Sequence, residues 1–241
     1  MSARRRSSAS AWPSARAVVK PAPELLVGGL VPFTTIDFPG RLAAVVFCQG
    51  CPWQCDYCYN RHLWQASGEN MIPWAEVLAF LEKRQGMLDG VVFSGGEASV
   101  QPGLPEALKQ VRALGYATAL HTNGVVPERL ETLLPLLDWV GLDIKAPFDL
   151  YEKVTKIPGS GQKARRALDI LLRWGGAFET RTTVDLALLS AQDLEAMARD
   201  LSESGVKAWA LQPCRRDDGV AVLDEGLLAG ARAFMPDLVI R

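Results

Sequence analysis

The stretch Leu42-Ala-Ala-Val-Val-Phe-Cys48 decides how this sequence folds. Its residues are apolar without a break, the pattern of a strand covered on both faces, as strands of a parallel sheet are. Five more short strands follow at Gly90–Ser94, Ala117–His121, Trp139–Ile144, Glu179–Val184 and Lys207–Gln212. Most repeat the continuous pattern, whereas Glu179–Val184 alternates, with Arg181 and Thr183 on one side. Amphipathic stretches separate the strands. Trp74, Val77, Leu78 and Leu81 keep the spacing of one helix face behind Pro73, a residue suited to a first helical turn. Leu194, Met197, Ala198 and Leu201 repeat that spacing behind Ser190 and Asp193, which are placed as a capping pair. Leu104–Leu114, Pro127–Leu137 and Gln162–Trp174 supply further helices.

Such alternation predicts right-handed crossovers and a parallel sheet. Six units fall short of the eight that close a full barrel. The expected fold is therefore α/β, a partial (β/α)6 TIM-like barrel, laterally open, over residues 24–241. Leu25–Gly40 reads as a leading hairpin or extended arm.

Length and composition suit one domain: of 241 residues, 49% are hydrophobic and 22% charged, enough for a sizeable core. A net charge of −1 argues against a nucleic-acid binder. No apolar run approaches the roughly 18 residues of a membrane span. Residues 1–23 carry Arg4, Arg5, Arg6, Arg16 and Lys20, no acid and three prolines. They read as a disordered extension, a composition that transit peptides share, and they show no secretory apolar region. Five cysteines, four of them between Cys48 and Cys58, favour metal or catalytic use in a reducing cytoplasm over a disulfide framework.

The cysteine-rich loop Phe47-Cys-Gln-Gly-Cys-Pro-Trp-Gln-Cys-Asp-Tyr-Cys-Tyr-Asn60 follows the first of these strands. Thiolate is a soft ligand that selects iron–sulfur clusters or zinc. Cys51, Cys55 and Cys58, spaced C-x3-C-x2-C, would leave one iron of a four-iron cubane open, and open coordination separates reactive metal sites from structural ones. Adding Cys48 gives four ligands and a closed cluster or zinc site, which spacing alone permits. Cys48 ends an apolar strand, where a small buried thiol is common, and this weighs toward the three-cysteine set.

Three later motifs also end strands. Ser94-Gly-Gly-Glu97 offers Gly95 and Gly96 for close backbone approach and Glu97 as an acceptor for an ammonium group, although Gly–Gly is often only a turn. His121-Thr-Asn-Gly124 offers Thr122 and Asn123; His121 reads as a hydrogen-bonded pocket residue, because no second histidine or acid neighbours it. In Gly141-Leu-Asp-Ile-Lys145, Asp143 and Lys145 share one side of an extended chain. Alone they would be an ordinary ion pair. Arg181 and Gln212 close later strands and are further candidates for a pocket wall. The cysteine loop and all three motifs fall at C-terminal strand ends, where such folds place their ligands.

With aromatic Tyr57 before the last cysteine, this loop resembles the signature of the radical S-adenosylmethionine (SAM) superfamily. The resemblance implies a [4Fe–4S] cluster on Cys51, Cys55 and Cys58, with SAM chelating the open iron through its amino and carboxylate groups. It implies Tyr57 beside the adenine, and Gly95, Gly96 and Glu97 at the methionine amino group. Thr122 and Asn123 would lie in the pocket, with Asp143 and Lys145 near the SAM carboxylate or ribose. From about Leu25 onward the chain is similar to activators of glycyl radical enzymes, especially those of anaerobic ribonucleotide reductase. Thr34-Thr-Ile-Asp-Phe-Pro-Gly-Arg41, the Phe-x-Gln-Gly-Cys-Pro approach and Leu211-Gln-Pro213 carry that similarity.

The similarity further implies reductive cleavage of SAM to methionine and a 5′-deoxyadenosyl radical. Flavodoxin or ferredoxin would supply the electron, and a partner glycine would lose a Cα hydrogen. Cys48 stands where the family usually has Thr, Tyr59 where it often has His or Gln, and His121 where it often has Asp. The alternatives are a pyruvate formate-lyase activating enzyme, a small-molecule enzyme like 7-carboxy-7-deazaguanine synthase, and a non-enzymatic iron–sulfur or zinc module with four thiolates.

Overall fold

The computed structural model describes residues 23–216 and 219–241. The extension expected over residues 1–23 lies outside that set except for Pro23. In chain order the strands are β1 (Val27–Thr34), β2 (Ala43–Cys48), β3 (Gly90–Gly95), β4 (Ala117–Thr122), β5 (Trp139–Asp143), β6 (Phe178–Val184), β7 (Trp209–Pro213), β8 (Arg215–Arg216), β9 (Gly219–Val220) and β10 (Val239–Ile240). The helices are α1 (Trp74–Glu82), α2 (Leu104–Ala113), α3 (Pro127–Leu133), α4 (Tyr151–Thr155), α5 (Ser160–Trp174), α6 (Ala191–Glu203) and α7 (Glu225–Phe234).

Strands β2 to β7 lie side by side in chain order, each parallel to the next. β1 adds antiparallel to the β2 edge and β10 parallel to the β7 edge. The eight-stranded order ends at β1 and β10 without closing, so the barrel is partial and open at the side. The six expected strands are all present, and the leading arm is a single antiparallel strand. Among the described residues no helix is long and apolar enough to cross a membrane.

Alternation along each strand separates two apolar clusters. Ala44, Val46 and Cys48 of β2 face the large core shared with the helices, among them Val77, Leu81, Leu108 and Val111. Ala43 and Val45 face inward, where Val92, Ala119, Phe38 and Trp139 plug the lower end of the barrel. Phe38 and Trp139 meet with ring centroids 6.0 Å apart. Above this plug the interior turns polar, because the inward positions nearer the strand ends are His121, Asp143, Arg181 and Thr183. The charged side of Glu179–Val184 thus faces the barrel interior, where Arg181 is buried.

Local chemistry explains the boundaries. Ser190 Oγ accepts from the Asp193 amide and Asp193 Oδ2 accepts from the Ser190 amide, a capping box at α6 of the kind that contributes about 1 kcal/mol. Pro73 stands at the N-cap of α1, one residue before the first turn expected for it. The helix expected over Pro127–Leu137 is α-helical only to Leu133, and Pro135 sits in the tighter Leu134–Leu136 turn that follows.

Candidate functional site

The cysteine loop is fixed from both sides before any ligand is considered. The Gln49 side-chain amide donates to the carbonyls of His62 (3.1 Å) and Gln65 (2.8 Å), while its backbone carbonyl accepts from the Gln101 side chain. The amides of Gly50 and Cys51 donate to Leu63 (2.7 Å) and Trp64 (3.0 Å), so the loop's exit folds back on its entry. From the next strand, the Gly96 amide donates to the Cys48 carbonyl and the Glu97 amide to the Gly50 carbonyl. Gly95 has φ +109°, and a Cβ there would lie 2.4 Å from the Cys48 nitrogen. A Cβ on Gly96 would lie 2.3 Å from the Gly50 carbonyl oxygen. These two glycines therefore allow β3 to seat the cysteine loop, a close approach to backbone as well as to any ligand.

A cavity of about 590 Å³ opens at the C-terminal ends of the strands. Cys51, Cys55, Cys58, Tyr57, Gly95, Gly96, Glu97, Thr122, Asn123, Asp143 and Lys145 all line it, as do Arg181 and Gln212. Cys48 does not. It is fully buried on the helix side of β2, where burial, reinforced by Glu97, pushes its thiol pKa well up. Burial and then Glu97 push the Cys51 thiol up to about 12, so a thiolate there requires a compensating cation.

Glu97 is 1% exposed, and its carboxylate is held by its own chain. Oε1 accepts from the Ser99 amide (3.1 Å) and the Thr122 hydroxyl (2.6 Å), and Oε2 from the Asn123 amide (2.7 Å). Burial raises its pKa in spite of these donors. Asn123 Nδ2 lies 3.9 Å from Cys51 Sγ.

The opposite wall is a charged network. Asp143 Oδ1 accepts from Arg181 Nη2 (2.7 Å) and Nε (3.1 Å), and Lys145 Nζ lies 3.5 Å from Asp143 Oδ2. Burial works to raise the Asp143 pKa, but Arg181 and Lys145 outweigh it and hold the carboxyl below its ordinary value. Burial likewise works to lower the Lys145 pKa; Tyr57, Asp143 and Cys55 outweigh it, so the ammonium persists. Its Nζ sits 5.7 Å over the Tyr57 ring.

Arg181 Nη1 is 3.0 Å from His121 Nδ1. A guanidinium only donates, so Nδ1 accepts, and Nε2 carries the proton donated to the Asp37 carbonyl at 2.8 Å. Burial and then Arg181 lower the His121 pKa to about 3. His121 is thus a hydrogen-bonded pocket residue as expected, although the fold brings Asp143 and Arg181 to it from β5 and β6.

Sequence reading missed Ile36, Asp37, Trp53, Trp64, Arg215, Val220 and Arg241, which also line the cavity. Trp53 was legible only through its place inside C-x3-C. Tyr59 has a specific use: its hydroxyl accepts from the Arg215 amide at 2.6 Å, joining the cysteine loop to β8 across the mouth.

The lining suits an iron–sulfur cluster with a polar organic ligand beside it. Three soft sulfurs stand at one end, and Tyr57 Oη and Trp53 Nε1 are buried on the cavity wall with no partner among the described residues. No group of His, Cys, Asp and Glu among the described residues converges on a single metal ion. A cubane takes each thiolate on a different iron, so its ligands surround a cluster and do not meet at a point.

Comparison with known proteins agrees with this geometry. The chain is 29% identical over 192 residues to a Methanocaldococcus jannaschii protein provisionally named as a glycyl-radical enzyme activating enzyme, covering 76% of this chain and 78% of that one. It is 35% identical over 144 residues to the pyruvate formate-lyase-activating enzyme of Clostridium pasteurianum, covering 57% of this chain and 58% of that one. The chain thus spans little more than half of the latter enzyme. Its fold is similar to the crystal structure of QueE from Escherichia coli, with a TM-score of 0.55 at 18% identity, over 90% of this chain and 94% of that one. The model of the radical SAM superfamily matches residues 45–201, well over half of the sequence. The chain belongs to the radical SAM superfamily.

Proposed function

We propose that this chain is an activating enzyme for a glycyl radical enzyme, holding a [4Fe–4S] cluster on Cys51, Cys55 and Cys58 and SAM along the adjoining wall. The observation that carries the reading is that these cysteines share one cavity with Asp143, Lys145 and the ends of β3 and β4, while Cys48 lies outside it. Bound there, a reduced cluster would supply the one electron that cleaves SAM to methionine and a 5′-deoxyadenosyl radical, and that radical would take a Cα hydrogen from a partner glycine.

The chain's own residues bind and orient. Lys145 and Arg181 keep positive charge beside the cavity, suited to a carboxylate, and Asp143 balances them. The Tyr57 ring and Trp53 give an apolar wall for a base or ribose. Asn123 Nδ2, close to Cys51 Sγ, supplies a donor to that sulfur. The Tyr59–Arg215 contact ties the cysteine loop to β8 at the edge of the cavity.

The partner proposed first is anaerobic ribonucleotide reductase, on the strength of the Thr34–Arg41 and Leu211–Pro213 segments. Pyruvate formate-lyase stands second, since several relatives are named as its activating enzymes. The electron donor proposed is flavodoxin or ferredoxin. Reconstituted chain, SAM and reduced flavodoxin incubated anaerobically with each partner should give an organic glycyl doublet by electron paramagnetic resonance. A doublet on the reductase supports the first partner, and one on the lyase alone replaces it. SAM cleavage with a doublet on neither, and turnover of a small molecule, would overturn glycyl activation.

A further inference from the structure

Tyr151, the first residue of α4, is fully buried and lies behind the cavity wall. Its hydroxyl accepts from the Lys145 amide at 3.0 Å and donates to the Asp143 carbonyl at 3.1 Å. The backbone geometry explains why these two groups need it. At Ile144 the chain still pairs with β6, through the Ile144 amide to the Arg181 carbonyl (2.8 Å) and the Thr182 hydroxyl to the Ile144 carbonyl (2.6 Å). The flanking Asp143 carbonyl and Lys145 amide point the other way, toward β4. Pairing with β4 ends at Thr122 opposite Leu142, so neither group has a strand partner, and the Lys145 amide is buried. One phenol hydroxyl takes the place of the missing strand.

The same side chain touches the cysteine loop. Its ring meets Trp53 edge-on with centroids 5.9 Å apart and stacks on Phe148 at 6.1 Å with planes 6° from parallel. Trp53 lies between Cys51 and Cys55 in the chain. Tyr151 therefore contacts both the segment that presents Asp143 and Lys145 to the cavity and the loop that presents the cysteines.

We propose that Tyr151 is a positioning residue: its hydroxyl sets the Asp143–Lys145 segment, and its ring sets that segment's distance from the cysteine loop, so that SAM reaches both at once. This rests on the reading of the cavity as a SAM site. Tyr151→Phe keeps the ring and removes the bridge. In the reconstituted chain, iron and sulfide content should stay close to wild type, and the metal-free form should still fold cooperatively, its melting lowered only by the loss of the two hydrogen bonds. The Lys145 amide should exchange with solvent about tenfold faster, and SAM, followed by its effect on the reduced cluster's electron paramagnetic resonance, should bind about tenfold more weakly, the weight of one buried hydrogen bond. A variant that binds SAM as wild type overturns the proposal, as does one that loses the cluster or fails to fold, since the residue then serves the fold. In the wild-type chain, SAM should slow exchange at the Lys145 amide; no change there also overturns it. A wild-type chain that takes up its cluster yet binds no SAM would instead sink the reading of the site.

Discussion

The Asn123 amide donates to Glu97 Oε2 at 2.7 Å, tying the end of β4 to the end of β3 through a carboxylate that is 1% exposed. With the Thr122 hydroxyl and the Ser99 amide also donating to it, Glu97 holds two of the strand ends that form the cavity floor. Glu97→Gln turns one acceptor into a donor facing a donor. It should cost about 1–3 kcal/mol in denaturant unfolding. An unchanged midpoint would show that the carboxylate is not needed for this joint.

The cysteine loop rests on glycine. A Cβ on Gly96 would meet the Gly50 carbonyl, and the loop would have to move away from β3. Gly96→Ala should lose about 1–3 kcal/mol of stability and retain less iron after reconstitution. Normal iron content and stability would mean the seat is looser than its distances imply.

His121 gives a pH prediction. Its pKa falls from 6.5 to about 3 on folding, so below pH 6.5 the unfolded chain binds a proton that the folded chain refuses. The stability His121 contributes is full above pH 6.5 and declines as pH falls from there toward 3. His121→Gln does not titrate. The stability difference between wild type and variant should therefore be larger at pH 7 than at pH 5 by on the order of 2 kcal/mol. Equal differences at the two pH values would contradict a neutral, buried imidazole.

Much of this was legible before the structure. Continuous apolar runs marked β2 to β5 because both faces of those strands are covered, and the motifs at their ends fell together because parallel strands end on one rim. β6 was harder. A charged residue on an alternating strand usually marks solvent, but Arg181 points into a barrel whose upper interior is polar. β10 has two residues and α4 five, too few for either periodicity to register. Tyr151 was invisible for that reason. The Tyr59–Arg215 contact spans 156 residues of sequence and leaves no local pattern.

Cys48 separates the open cluster from a closed one. It shares the helix-facing side of β2 with Ala44 and Val46, while the other three loop cysteines line the cavity. Cys48→Ala should retain a four-iron cluster, and Cys51→Ala should lose it or hold it in much lower yield. Identical behaviour of the two variants would mean the ligand set is wrong.

The most direct measurement is electron paramagnetic resonance of the anaerobically reconstituted, reduced chain, recorded with and without SAM. A [4Fe–4S] signal that SAM reshapes is expected, in wild type and in Cys48→Ala alike. A cluster held by four protein thiolates, with a spectrum that SAM leaves untouched, would contradict an open iron in the cavity.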